Sequence, residues 1–491
     1  MLRKIEKLIK LFCWVPFLIA YIGYYVIGQD GVTMSAAESV YAAIAIYFVN
    51  PVNEMTNWAI LTGELLSVIV ITSILITAVI RIKMFFKNWM IRRKSGSVAV
   101  YSGPAEIDDD DVDNGSAMSP AERYVDGDPR SYIAGDRPEK TDNHILMFND
   151  DITALDFFHQ YADELGKGQV YICFNRIDQL LIANSIQSEE YKNVHFCNLN
   201  DLTARHYWKN NSLIDKIYEG RNLKVAITEC NDIGKAIIKY AYLNNVFSLE
   251  NSIEYHVWGC DVITAGFYKG LDTMNGDRII VHNNRIEEDI DILSNMDRVI
   301  LTQDSSLNML QQLMYLNVNA ELHCYTESEA NLRGVYGSDR LITFGAAKNI
   351  ISRDNIIDDK MSTIAKLVNY DYNLQYSGGN ANRDTLESDM EKEWKKLGGF
   401  LRGSNIARAD HLWIEKYLGE KGVPSETLME IEHVRWCRFH FFNRWKCGGE
   451  KKDAERRLHP LLVPFKDLPD SEKKKDNVTD PVIKEKIEKL L

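Results

Sequence analysis

Met429 to Trp445, MEIEHVRWCRFHFFNRW, holds two His, three Arg and two Trp in 17 residues. Helical spacing sets Glu432, Arg435 and Phe439 on one face and His433, Trp436 and His440 on the neighbouring face. From His433 to Arg457 there are eight Lys or Arg against three Asp or Glu. Guanidinium forks grip phosphate or carboxylate, and aromatic faces stack on planar rings. That chemistry suits a small anionic ligand such as a nucleotide. One compact patch fits a small molecule better than extended nucleic acid. The other reading is structural: Trp436, Phe439 and Phe442 are core, and Glu432 pairs with Arg435 or Arg408 in a buried network. Both readings are open from the sequence.

A second constellation is LKVAITECNDIGKAIIKYA, which reads as strand, tight turn and helix. In dinucleotide-binding turns, glycines let the pyrophosphate approach a helix N-terminus. Aligned on Gly234, the three glycine positions are Glu229, Asn231 and Gly234, and only the last is kept. Glu229 puts a carboxylate where phosphate would sit. Asp261, after the next strand, stands where an acid commonly binds ribose hydroxyls. The weak candidate nucleotide set is therefore Asn231, Gly234 and Asp261, with NAD(P) or another nucleotide as the ligand class; a purely structural turn explains the same residues. No catalytic residue, HExxH, GxSxG, GxxxxGK[ST] or Cys/His metal spacing is found. His433 and His440 lie two turns apart and are poorly placed to share a metal. Neither enzyme activity nor a metal is expected.

These side chains need a scaffold. Ten runs read as strands: SVAVYSG, HILMF, QVYICF, VHFCNL, LKVAITE, IEYHVWG, RIIVH, RVILT, AELHCYT and RLITF. Amphipathic helical segments separate most of them, which predicts βαβ units and parallel sheets. The expected layout is two Rossmann-like units, 97–218 and 219–357, then a helical linker at 358–399 and a small all-α domain at 400–491. EIDDDDVD, Glu106 to Asp113, marks an acidic surface insertion at 104–140; it lacks the EF-hand pattern.

The first 96 residues differ. Leu11–Gly28 carries no charge in 18 residues, and Ala59–Ile80 carries only Glu64 in 22. Both are long enough to cross a hydrocarbon core of roughly 30 Å. Arg3, Lys4, Lys7 and Lys10 precede the first. Arg81, Lys83, Lys87, Arg92, Arg93 and Lys94 follow the second, while 29–57 holds no Lys or Arg. The positive-inside rule puts both chain ends in the cytoplasm, with the protein in the inner membrane. Met34 to Asn50 is a short apolar helix, either extracytoplasmic or re-entrant. Glu54 and Glu64 are the candidate pore residues. A carboxylate inside a span costs about 2.5–3.5 kcal/mol, so Glu64 faces a pore or partner, or lies near hydrated headgroups. Two helices enclose no pore alone, so a homo-oligomer, a tetramer by guess, is expected.

The net charge of −13 argues against a nucleic-acid partner. Eight scattered cysteines without a CxxC pair suit reduced thiols.

Two resemblances add to this reading. Membrane spans followed by paired Rossmann units, with RVILTQDSSLNMLQQL after a late strand, resemble potassium-conductance regulator (RCK) and potassium-uptake regulatory domains. That likeness implies a ligand-responsive ring or dimer pulling on membrane helices. VNPVNEMTN stands where potassium channels carry a TVGYG-type filter, so potassium selectivity does not carry over. The last third resembles the ryanodine-receptor (RyR) repeat domain through Asn405, Arg408 and His411, EHVRW at 432–436, Trp445 with Gly448 and Gly449, and LHPLLVPFKDLP at 458–469. That likeness implies a ligand site including Asn405, Arg408, His411, Glu432, His433, Arg435, Trp436, Trp445 and His459. NRWKCGG departs from the shorter GW-type step of that family. The expected function is a ligand-gated membrane channel or receptor; alternatives are a membrane-anchored NAD(P)-dependent oxidoreductase or nucleotide-processing enzyme, and a dimerising scaffold.

Overall fold

The computed structural model describes residues 9–48, 54–103, 119–178, 193–303, 307–316, 319–327, 339–473 and 478–491. The chain divides into two compact units, Met1–Ser95 and Gly96–Leu491.

In the first unit, Ile9–Ile27 and Trp58–Arg92 are long and apolar enough to cross a membrane. Helix α1 (Val15–Ile22) runs into a wider π-helical turn at Gly23–Ile27. Helix α2 (Ala36–Ala45) begins at a Ser35/Glu38 capping box. Helix α3 spans Trp58–Arg92. A Cβ at Gly63 would meet the Ala20 Cβ at 2.9 Å, and one at Gly23 would meet Ile60 Cγ1 at 2.8 Å. Glycine at these positions lets α1 and α3 approach closely, the device of helix pairs in lipid. Asn57 caps α3 through the amides of Ala59 and Ile60 and donates to the Gly23 and Gly28 carbonyls. Ser67 Oγ donates to the Ile46 carbonyl and so ties α2 to α3. Glu64 is half-buried and Glu54 exposed. Residues 49–53, part of the filter-like stretch, lie outside the described residues. The basic flank that follows Ile80 continues α3 as far as Arg92.

The second unit is α/β. Its first sheet is all parallel, in the order β2-β1-β3-β4-β5. The strands are β1 (Val98–Tyr101), β2 (Ser131–Ile133), β3 (Asn143–Leu146), β4 (Gln169–Phe174) and β5 (Val194–Asn198). The second sheet, also parallel, runs β11-β10-β9-β6-β7-β8. It comprises β6 (Leu223–Ile227), β7 (Ile253–Val257), β8 (Arg278–Val281), β9 (Arg298–Leu301), β10 (Glu321–Tyr325) and β11 (Leu341–Phe344). This is the doubly wound dinucleotide-fold order. Central strands such as β1, β3 and β9 are buried on both faces, as helix-covered parallel sheets require.

The insertion expected at 104–140 is corrected. Pro120–Gly127 is a helix, α4, with its own Ser119/Glu122 capping box, and Ser131–Ile133 is edge strand β2. Ser-Pro-Ala-Glu was legible as a helix start; a three-residue strand beside an acidic run was not. Glu106 to Asp113 falls outside the described residues.

Helices α5 (Asp151–Gln160), α6 (Leu199–Asn210), α7 (Asp232–Asn244) and α8 (Val262–Lys269) cover the sheets. After β11 come α9 (Thr363–Ser377), α10 (Leu386–Lys395), α11 (Gly399–Glu420) and α12 (Ser425–Phe442), then a two-residue ladder, Lys446–Cys447 with Leu458–His459, and α13 (Pro481–Leu490). This helical part is fused to the second sheet: Ile414, Leu418, Ile431 and Val434 share one core with Val225, Ile237 and Val257.

Candidate functional site

At the second sheet's switch point, between the C-terminal ends of β6 and β9, ligands of this topology normally bind. Here the turn is occupied by its own side chains. Asn231 caps α7 by accepting the Gly234 amide at 2.8 Å, and its Nδ2 donates to the Thr302 carbonyl at 3.0 Å. Thr302 Oγ1 closes the other side by donating to the Glu229 carbonyl at 2.9 Å. A Cβ at Gly234 would lie 2.0 Å from the Glu229 carbonyl oxygen. Glycine there serves close packing of turn on helix. Glu229 Oε2 is buried without a hydrogen-bond partner, and burial raises its pKa. Asp261 caps α8 through the Thr264 amide and hydroxyl and pairs with Lys235 at 3.5 Å. The Asn231 side chain, the Gly234 amide and the Asp261 carboxylate, which a phosphate or ribose would use, already have partners in the chain.

The first sheet repeats this pattern. The Asp151 carboxylate, buried beside β4, accepts the amides of Asn175, Arg176 and Ile177 at 2.8–2.9 Å. It fills a backbone nest of the kind that otherwise holds an anion.

The C-terminal set forms two clusters. In the first, Glu432 accepts two bonds from Arg435 at 2.7 and 2.8 Å and pairs with Arg408 at 3.2 Å. Arg408 also grips Glu415. His411 Nδ1 lies 3.4 Å from both carboxylates, and its Nε2 donates to the Val246 carbonyl at 3.0 Å. Burial disfavours charge on Glu432, but Arg408 and Arg435 outweigh it and hold the carboxyl well below its usual range. Burial likewise pushes His411 down, and Glu415 and Glu432 overcome it to raise its pKa. Arg435 Nη1 is left without a hydrogen-bond partner. His411, Glu415 and Glu432 converge closely enough to hold a metal. Two guanidiniums on the same carboxylates make that a poor cation site. Asn405 stands apart, donating to the Leu401 carbonyl one turn back.

The second cluster is aromatic. Trp436 lies 4.2 Å from His440, 5.0 Å from His459 and 5.7 Å from His433, centroid to centroid. Trp445 lies 5.5 Å from His440 and 6.3 Å from His459. These are direct ring-on-ring contacts. His433 Nε2 donates to the Val463 carbonyl, and His440 Nδ1 to the Trp436 carbonyl. Burial first, then His459, Lys452 and Arg435, hold His440 neutral, at about 3. Of the eight basic residues, Arg435 is locked on Glu432, and Arg438 is buried on Asp277 and the Tyr242 and Thr273 carbonyls. Apart from Asn405, these residues fall into two neighbouring sets, and most of their polar groups are satisfied from within.

A cavity of about 430 Å³ lies elsewhere, between edge strand β5 and the helices α9, α10 and α11. On one wall His195 stacks on Tyr171, with centroids 4.8 Å apart and planes 16° apart. His195 Nε2 meets Gln169 Oε1 at 3.0 Å. Burial, then Lys395, Arg402 and Lys366, push its pKa down to about 4. The lining also holds Lys366, paired with Glu391 at 2.6 Å and Asp359 at 3.5 Å. Arg402 is held from behind by the Trp394 and Lys395 carbonyls at 3.3 and 3.4 Å. Among the described residues neither Arg402 nor Lys395 has a carboxylate in ion-pair range. Sequence reasoning missed this site because its walls come from three distant segments. EWKKLGGFLRG, 393–403, which puts Trp, two Lys and Arg around a glycine pair, was the one available signal.

No protein-family model matches the sequence, and no curated protein matches it. Among solved structures, GsuK bound to ADP and the GsuK channel each align with a TM-score of 0.33 at 13% identity, over 73% of this chain and all of theirs. L-tryptophan dehydrogenase from Nostoc punctiforme aligns with a TM-score of 0.24 at 12% identity, over 60% of this chain and 75% of its own. Likeness at this level decides no function.

Proposed function

We propose that the protein is a membrane-anchored receptor whose soluble unit binds a small ligand and works the apolar hairpin, as a channel subunit of a homo-oligomer. The observation that carries this reading is the cavity between β5 and the C-terminal helices. Its size falls within the roughly 300–1,000 Å³ of small-molecule sites, and its walls belong to both the first sheet and the helical part. A ligand bridging those walls favours their closed arrangement, and any such difference in affinity shifts the equilibrium between arrangements. Helix α3 is unbroken to Arg92 and β1 starts at Val98, so movement of β1 is passed to the membrane helix through five residues. Both chain ends are cytoplasmic in this reading, Glu64 lines or borders the pore, and 400–491 acts as the RyR-like part of the sensor. Asn231 filling the turn after β6 weighs against NAD(P) chemistry there.

The test is ion flux through liposomes containing the full chain, with and without ligands identified by binding. Ligand-dependent flux supports the reading. Tight binding with no flux in any lipid removes the channel and leaves an anchored receptor. NAD(P) turnover by the full chain would replace both with the oxidoreductase.

A further inference from the structure

The charges lining the cavity are not evenly matched. Arg205 is neutralised by Asp410 through two bonds at 2.7 and 2.9 Å, and Asp201 by Lys239 at 2.9 Å. Lys366 sits between two carboxylates, Asp359 and Glu391, which leaves acceptor capacity there. On the same lining Arg402 and Lys395 have no carboxylate in ion-pair range among the described residues, and Asp359 and Glu391 act on the half-buried Arg402 only from farther away. Arg402 donates its Nε and one terminal nitrogen to helix-end carbonyls, which fixes the fork. Gly399, first residue of the 22-residue α11, lies on the same lining, and no side chain caps that helix. The same lining carries the flat Tyr171–His195 pair.

From this we infer that the cavity takes a phosphorylated heteroaromatic of mononucleotide size. Its phosphate sits on Arg402 and Lys395, its hydroxyls face Asp359 and Glu391, and its ring lies against His195. The inference rests on the cavity being the ligand site of the receptor. Each part answers a feature of the lining: an anion for two cations without an ion-pair partner among the described residues, donors for two carboxylates sharing one lysine, and a planar ring for the flat aromatic wall. A bare anion would leave the ring wall and the carboxylates unused. A neutral aromatic would leave the cations unmatched.

The experiment is calorimetric titration of the full chain in detergent with AMP, GMP, UMP, ribose 5-phosphate, adenosine and inorganic phosphate. At least one nucleoside monophosphate is expected to bind. Arg402→Gln and Lys395→Gln are each expected to weaken it roughly 10- to 100-fold, as loss of a charge-assisted contact does. His195→Ala should weaken nucleotide but leave ribose 5-phosphate unchanged. Lys395 is exposed, so its variant is safe for folding. Equal affinity for ribose 5-phosphate and every nucleotide would overturn the ring assignment, while the cavity stands as the ligand site. Failure of every panel member to bind would overturn the ligand class. Unchanged nucleotide affinity in both cation variants would remove the inference and the cavity reading together.

Discussion

Replacing Glu432 by Gln separates the structural reading of the α11–α12 cluster from a ligand-binding one. Glu432 is 3% exposed, and its carboxylate balances Arg435, 1% exposed, and Arg408, 8% exposed. The amide keeps the shape but removes the charge, leaving two buried guanidiniums with Glu415 as the remaining carboxylate. Breaking a buried pair by removing one partner costs about 3–5 kcal/mol, because an uncompensated charge stays behind. That is roughly two to three and a half powers of ten in the folding equilibrium. Chemical denaturation followed by tryptophan fluorescence reads it, since Trp436 and Trp445 report on this region. Replacing both partners, Glu432→Leu with Arg435→Met, should recover most of the loss, because an apolar pair of similar volume avoids desolvation. The folded carboxyl titrates below its ordinary value, so its contribution is present above about pH 4.5 and fades as pH falls further. The gap between wild type and variant should shrink in acid. A variant within about 1 kcal/mol of wild type at pH 7 would refute the argument: water would then have to reach the pair, and Glu432 would be free to serve a ligand.

His411→Gln should destabilise more at pH 6 than at pH 9. Its raised folded pKa gives stability that is full below about 6.5 and lost as pH rises through the folded value; denaturation midpoints at the two pH values check the sign. Gly234→Ala should cost about 1–3 kcal/mol or more in the same assay, since the new methyl meets the Glu229 carbonyl at 2.0 Å and the turn must move. Asp151→Asn should cost about 1.5–3 kcal/mol, because three amides lose a charged acceptor; amide exchange at 175–177 should speed up. Gly63→Val should force α1 from α3 and lower the thermal stability of the full chain in detergent; an unchanged melting profile would mean the helices do not meet at Gly63 and Ala20.

The chain's own pattern was enough for the α/β class, the parallel sheets and the two apolar helices. Runs such as VAVY at 98–101 are apolar on both faces, which a helix-covered parallel sheet tolerates, and an 18-residue stretch without charge has few alternatives in water. Helical spacing also put Glu432 and Arg435 on one face, and the resemblance to the RyR repeat domain joined Arg408 and His411 to them. Whether that group faces a ligand or itself was beyond local information. Its answer depends on Val246, from the loop after α7, and on Glu415, one turn along α11, meeting His411 from different sides. The dinucleotide turn makes the same point: Gly234 is required by contact with Glu229, and Asn231 takes the place of the anion. Both edge strand β2 and the cavity beside β5 depend on sheet order, and sheet order is set by packing between segments far apart in sequence. The stacking of Tyr171 on His195, and the presence of Arg402 on the same cavity lining, were therefore decided by tertiary structure alone.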